Sequence, residues 1–192
     1  MKDNFREPVT IDWKRPFEVG PSDEHLHAIG QFIAIYSNIE WKISELFAHY
    51  IKMSEKESRE FCTDLNLSMA GMIRFVRTRL STDKSTDHET IADLNHNLGK
   101  FERLSKDRNI IVHWQWALSN DVIASVDNLI KPKTISAATY SLEDIRNICL
   151  DAVKLLRGVI YCLEIVRGSM TRQQILAANK DTSPEKLLRG CP

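Results

Sequence analysis

The sequence predicts a mainly all-α protein: a bundle of four to six helices with a small two-stranded β-hairpin inserted near residues 121–140. Three observations carry that expectation. Apolar residues recur at spacings of three, four and seven along most of the chain, the period of an amphipathic helix. A Ser or Thr stands three residues ahead of an acidic or amide side chain at Ser54/Glu57, Thr86/Glu89, Ser141/Asp144 and Thr171/Gln174, the pattern that caps helix N-termini. Only 121–126 and 134–140 depart from the helical period, as β-prone runs on either side of Asp127, Asn128 and Lys131-Pro132-Lys133.

Taken in order, residues 1–21 contain Pro8, Pro16, Gly20 and Pro21 without any period, which predicts an irregular arm that Trp13 and Phe17 lay on the domain. A single helical domain is expected over 22–180, followed by a polar tail over 181–192. The first helix follows Ser22, with the stripe Leu26, Ile29, Ile33, Tyr36, Ile43, Phe47 and Tyr50. Ser54 opens a second helix, and Met69 to Leu80 forms a third. After a polar loop at 81–88, Thr86 opens a helix towards Leu104. Ser105 to Leu118 continues as helix, either unbroken or restarted near Ser105. Ser141 opens the last long helix, whose stripe is Ile145, Ile148, Ala152, Leu156, Val159, Ile160, Leu163 and Val166. Arg167-Gly168 stops it, and Thr171 opens a short final helix.

The bulk numbers narrow the function classes. A chain of 192 residues with 43% hydrophobic and 27% charged residues suits one soluble globular domain. Lys+Arg and Asp+Glu both number 26, so a protein that coats nucleic acid through an overall basic charge is excluded, and any such binding needs a local patch. No apolar run approaches the ~18 residues of a membrane span, and the polar N-terminus lacks a signal-peptide core, so a cytoplasmic protein is expected. Cys62, Cys149, Cys162 and Cys191 form no close pair of metal or redox type, and Cys149 and Cys162 are expected as buried free thiols. The histidines show no metal-ligand spacing, so neither a metal nor a cofactor is expected.

One stretch resists a purely structural reading. Ser105 to Trp116 reads as buried helix yet carries Arg108, Asn109 and His113 within six positions. On a wheel at ~100° per residue, Ile110, Ile111, Trp114, Ala117 and Leu118 make one core face. Arg108, Asn109, Val112, His113 and Trp116 fall in an opposite sector of ~140°. A helix apolar on both sides is buried on both sides, so this is either a central helix or one whose second face meets another subunit; the subunit is favoured, because such an interface can form a cleft lined by the polar trio. In the first helix, Glu40 interrupts the Tyr36, Ile43, Phe47 stripe, where a carboxylate is costly unless paired. Arg108 or His113 would serve as its partner; a structural salt bridge is the alternative.

Arg108-Asn109-Ile110-Ile111-Val112-His113 resembles the Arg–x(4–6)–His signature of the HEPN superfamily (higher eukaryotes and prokaryotes nucleotide-binding domains). Asn directly after Arg, a motif helix late in an α-bundle, and an acidic residue in a long first helix extend the likeness over roughly residues 22–168. The resemblance implies a HEPN-like bundle acting as a metal-independent endoribonuclease on an RNA substrate. It further implies a composite site at a homodimer interface, in a toxin–antitoxin or antiviral-defence setting with an antitoxin or defence partner protein. RNA supplies its own nucleophile, the 2′-OH, so the protein need only move protons and neutralise charge. His113 would be the general acid–base, since an imidazole ionises near neutral pH. Arg108 would hold the scissile phosphate with its fork of donors. Asn109 would orient the ring or a phosphate oxygen from one turn away, and Glu40 would fix Arg108 or adjust His113. The expected products carry a 2′,3′-cyclic phosphate and a 5′-OH. Arg74, Arg77, Arg103 and Lys106 are the expected substrate-binding cations, and Trp116 would pack in the dimer or stack on a base. Two alternatives stand beside this: a non-catalytic HEPN-like module binding a nucleotide or protein, and an unrelated dimeric helical scaffold.

Overall fold

The computed structural model describes residues 21–113, 115–119, 122–126 and 137–181. The expected arm and tail therefore lie almost wholly outside the described residues, as does the segment 127–136 within the expected hairpin. The described chain is mainly helical: α1 (Asp23–Ile51), α2 (Glu55–Asp64), α3 (Met69–Leu80), α4 (His88–His113), β1 (Gln115–Ser119), β2 (Val122–Val126), β3 (Ala137–Tyr140), α5 (Leu142–Val166) and α6 (Arg172–Asp181). Among the described residues no helix is long and apolar enough to cross a membrane.

Capping sets most boundaries. Ser54 and Glu57 form a reciprocal capping box at α2, and Ser141 and Asp144 do the same at α5. Thr171 and Gln174 exchange the same bonds at α6. At α4 the cap is shifted by one residue from the expected Thr86/Glu89 pair. Asp87 accepts from the backbone N–H and the hydroxyl of Thr90, whereas Thr86 donates to Asp83. An aspartate caps as well as a threonine, and the Asp83 turn takes Thr86 away. Gly168, at φ 74°, ends the α5 region where the sequence puts its stop.

α1 runs through the middle of the bundle against α5, α3 and α2, and α4 packs on α5. Phe32, Ile39, Ile43 and Leu46 are wholly buried, and they meet Val76, Leu94, Leu98, Ile145, Ala152 and Val159 in one core. The expected α1 stripe is buried at Tyr36, Ile43 and Phe47, with Ile29 and Tyr50 packed against the core, but Leu26 and Ile33 are 42% and 38% exposed, their places taken by Phe32 and Ile39. Apolar residues cover more than half of this helix, so periodicity alone did not identify the sector that α3 and α5 would cover. Cys149 and Cys162 are buried free thiols, and burial pushes the Cys162 thiol up to about 11.

The largest correction falls after His113. Gln115 to Leu118, expected as helix, falls in strand β1, which pairs antiparallel with β2 from Gln115↔Val126 to Ser119↔Val122. β2 also pairs antiparallel with β3, so the insertion is a three-stranded sheet in the order β1-β2-β3 rather than a two-stranded hairpin. The helix apolar on both faces does not exist as drawn, because Trp116, Ala117 and Leu118 belong to β1. A short apolar run satisfies either period, and the backbone partners offered by β2 decide the outcome. The sheet bridges the end of α4 to the start of α5 and leaves His113 as the last helical residue.

One buried carboxylate shows how the bundle handles charge. Glu45 is 5% exposed and pairs with Lys42 at 2.6 Å and Arg167 at 2.9 Å. Burial pushes its carboxyl up, but the two cations pull it further down, leaving it below the usual carboxylate range. The stabilisation is therefore present above the ordinary value of 4.5 and is lost as pH falls below it. Removing one partner of a fully buried pair costs about 3–5 kcal/mol. Lys42 and Arg167 are each 31% exposed, so Arg167→Ala is expected to cost about 2 kcal/mol at pH 7 and much less at pH 3, read by denaturant unfolding.

Candidate functional site

Arg108, Asn109 and His113 occupy the last turn and a half of α4, which brings the Arg108 guanidinium to the negative end of the helix dipole. Asn109 and His113 are exposed, and Arg108 is partly buried. Arg108 Nη1 donates to Asn109 Oδ1 at 3.3 Å and lies 3.1 Å from His113 Nε2. A guanidinium only donates. In this contact His113 Nε2 is therefore the acceptor.

Beneath Arg108 lies a platform built on Tyr36, which the sequence places in the apolar stripe of α1. The guanidinium carbon stands 5.8 Å from the centroid of the Tyr36 ring, within cation–π range. Tyr36 in turn stacks on Phe101, with centroids 5.2 Å apart. Its hydroxyl lies 2.8 Å from Ser105 Oγ, and Ser105 Oγ donates back to the Phe101 carbonyl at 2.8 Å. With the Ser105 hydrogen committed, the phenol must be the donor between the two. Burial pushes the Tyr36 phenol upward, with Glu40 adding to the rise while Ser105 and Arg108 oppose it. The available signal was chemical: a tyrosine in an apolar stripe needs a partner for its hydroxyl, and Ser105 lies on the same face of α4 as Phe101.

Glu40 stands one turn after Tyr36 on α1 and is partly buried. Burial pushes its carboxyl up, and the charge of Arg108 pulls it partway back. Among the described residues no ion pair reaches it, so the expected salt bridge, whether to Arg108 or elsewhere, is not closed at contact distance. Glu40 and Glu45 thus sit five residues apart on one helix with opposite shifts: Glu45 has two close cations and Glu40 has only the more distant field of Arg108. Because the fold disfavours ionised Glu40, its contribution turns unfavourable as pH rises above the ordinary value of 4.5. Glu40→Gln is expected to melt higher than the wild type at pH 7 and level with it at pH 4.

The remaining predicted cations lie elsewhere. Arg77 makes two bonds to Glu102, at 2.8 and 2.9 Å. Arg103 and Lys106 share α4 with Arg108, but at about 100° per residue they lie roughly 140° and 160° around the helix from it. Arg74 stands one turn before Arg77 on α3. The fold therefore gathers Arg108, Asn109, His113, Tyr36, Ser105 and Glu40 around the C-terminal part of α4 and places the other cations on a separate face. The side chain of Trp116 lies outside the described residues. Among the described residues no three His, Cys, Asp or Glu side chains form a metal-binding group. Comparison with protein-family models, with curated proteins and with solved structures gave no match.

Proposed function

We propose that the protein is an endoribonuclease of HEPN type that cleaves RNA through its own 2′-OH, with Arg108 and His113 as the working pair. The observation that carries this reading is the contact between Arg108 Nη1 and His113 Nε2 at 3.1 Å, on an exposed helix end above an aromatic platform. In the resting arrangement the guanidinium occupies the ring's lone pair. An arriving phosphate offers Arg108 a better, charge-matched acceptor, and drawing the guanidinium onto it frees Nε2 to take the 2′-OH proton. The 2′ oxygen then bonds to phosphorus and the P–O5′ bond breaks. The 5′ oxygen leaves with a proton donated by the imidazolium of a second copy of the chain, giving a 2′,3′-cyclic phosphate and a 5′-OH.

One chain supplies one imidazole, and in-line cleavage gains from an acid and a base together. A second copy related by a two-fold axis would supply the other. Leu26 and Ile33 on α1, with Val112 beside His113, are 42%, 38% and 37% exposed and offer that copy an apolar surface. The toxin or defence setting and an antitoxin or defence partner follow from the family resemblance alone. A non-catalytic module is the second reading, favoured by the fact that Arg108 already has acceptors inside the chain. Incubation of the purified protein with total RNA in excess chelator tests the proposal. Cyclic-phosphate ends are expected, and no cleavage by folded dimer would transfer the reading to the binding module.

A further inference from the structure

Gly99 lies in the middle of α4, where glycine costs roughly 1 kcal/mol relative to alanine. Packing does not demand it. A Cβ there would meet only Arg77 Nη2 at 3.9 Å and Arg103 Nη1 at 4.0 Å, ordinary contact distances. Gly158 on α5 is different, since its Cβ would fall 2.7 Å from Asn97 Nδ2. What distinguishes Gly99 is that guanidinium groups from two helices converge over its bare backbone.

The charge around it is not balanced. Glu102 takes two of the five N–H groups of Arg77 and leaves three. Among the described residues Arg103 forms no ion pair. Arg74 precedes Arg77 by one turn, while Lys100 and Lys106 flank Arg103 at three residues on either side. Asp107 and Asp151 lie further round, lining the groove between α4 and α5 with Lys100 and Arg103. Like charges brought this close favour an anion that both can grip, and guanidinium forks match the oxygens of a phosphate.

We propose that this α3–α4 surface is a second anion site, which seats a phosphate group on the Gly99 floor between Arg77 and Arg103. Nine residues at about 100° each put it on the opposite side of α4 from Arg108 and about two and a half turns earlier along the helix. On the ribonuclease reading, which supplies only the source of the phosphate, the group belongs to the RNA backbone away from the scissile bond. A free phosphate would use the same donors.

The test uses a fluorescent single-stranded DNA 12-mer, which has no 2′-OH and so reports binding whether or not the protein cleaves RNA. Inorganic phosphate serves as competitor. Arg103→Gln is expected to weaken binding about fivefold at low salt and to flatten the logarithmic salt dependence by about 0.7, the loss of one phosphate contact. Gly99→Glu places a carboxylate on the floor and is expected to weaken binding more than Arg103→Gln does, while melting no lower than the wild type, because glutamate is the better helix former. Gly99→Ala is expected to bind like the wild type. Wild-type affinity and salt slope in both Arg103→Gln and Gly99→Glu would overturn the proposal, as would a wild type that binds neither probe. Binding of inorganic phosphate alone, sensitive to the same substitutions, would support the site and assign it to free phosphate rather than RNA.

Discussion

RNA cleavage by the His113→Ala protein is expected to fall by roughly 10²- to 10⁴-fold, the usual range for loss of a positioned general acid–base. On the proposed chemistry the loss should appear in kcat rather than KM, because there the imidazole acts on the proton in flight and not on the bound phosphate. His113 is exposed at the end of α4, so the fold should tolerate the change with a stability shift within about 0.5 kcal/mol. Arg108→Lys should reduce cleavage too while keeping the charge, since an ammonium cannot supply the planar fork that spans a phosphate. Single-turnover cleavage of a defined RNA, with melting and dimer state measured on the same samples, checks both variants. Undiminished cleavage by folded His113→Ala would remove the histidine from the site and with it the proposed chemistry.

Phe101→Ala is expected to lower stability by about 3–5 kcal/mol, the cost of truncating a phenylalanine in a packed core. Phe101 is 2% exposed and belongs to the largest fully buried side chains of the bundle. For a chain of this size the melting temperature should fall on the order of 10 °C. The same ring supports Tyr36, so its removal also unseats the platform under Arg108. Tyr36→Phe separates the two effects. It keeps the stack and the cation–π face while deleting the donor to Ser105, so about 1 kcal/mol is expected, with cleavage retained. Equal destabilisation by Tyr36→Phe and Phe101→Ala would show that the hydroxyl bond, not the ring stack, holds this end of the bundle.

The helical elements were legible in the sequence wherever a local signal existed. Ser54, Ser141 and Thr171 begin helices because a hydroxyl and a side chain three residues on satisfy free backbone N–H groups without help from the rest of the chain. Gly168 marks the end of α5 for an equally local reason, its left-handed backbone. The candidate trio was visible as well, because Arg108, Asn109 and His113 are neighbours along one helix and any helical reading brings them within reach.

What the sequence by itself determined, then, was a mainly helical chain with its capped helices and a polar trio at the end of one of them. The tertiary structure decided three things that no local signal contains. It made 115–119 a strand, because β2 offers a ladder of backbone partners to a run that would otherwise pass as helix. It chose which sector of α1 to bury, because α3 and α5 cover Phe32, Ile39 and Leu46 and leave Leu26 and Ile33 outside. And it set Tyr36, Ser105 and Phe101 beneath Arg108 while leaving Glu40 without a close cation, although Tyr36 and Ser105 lie 69 residues apart. Burial and long-range pairing depend on which surfaces meet, and that is a property of the assembled core rather than of any segment within it.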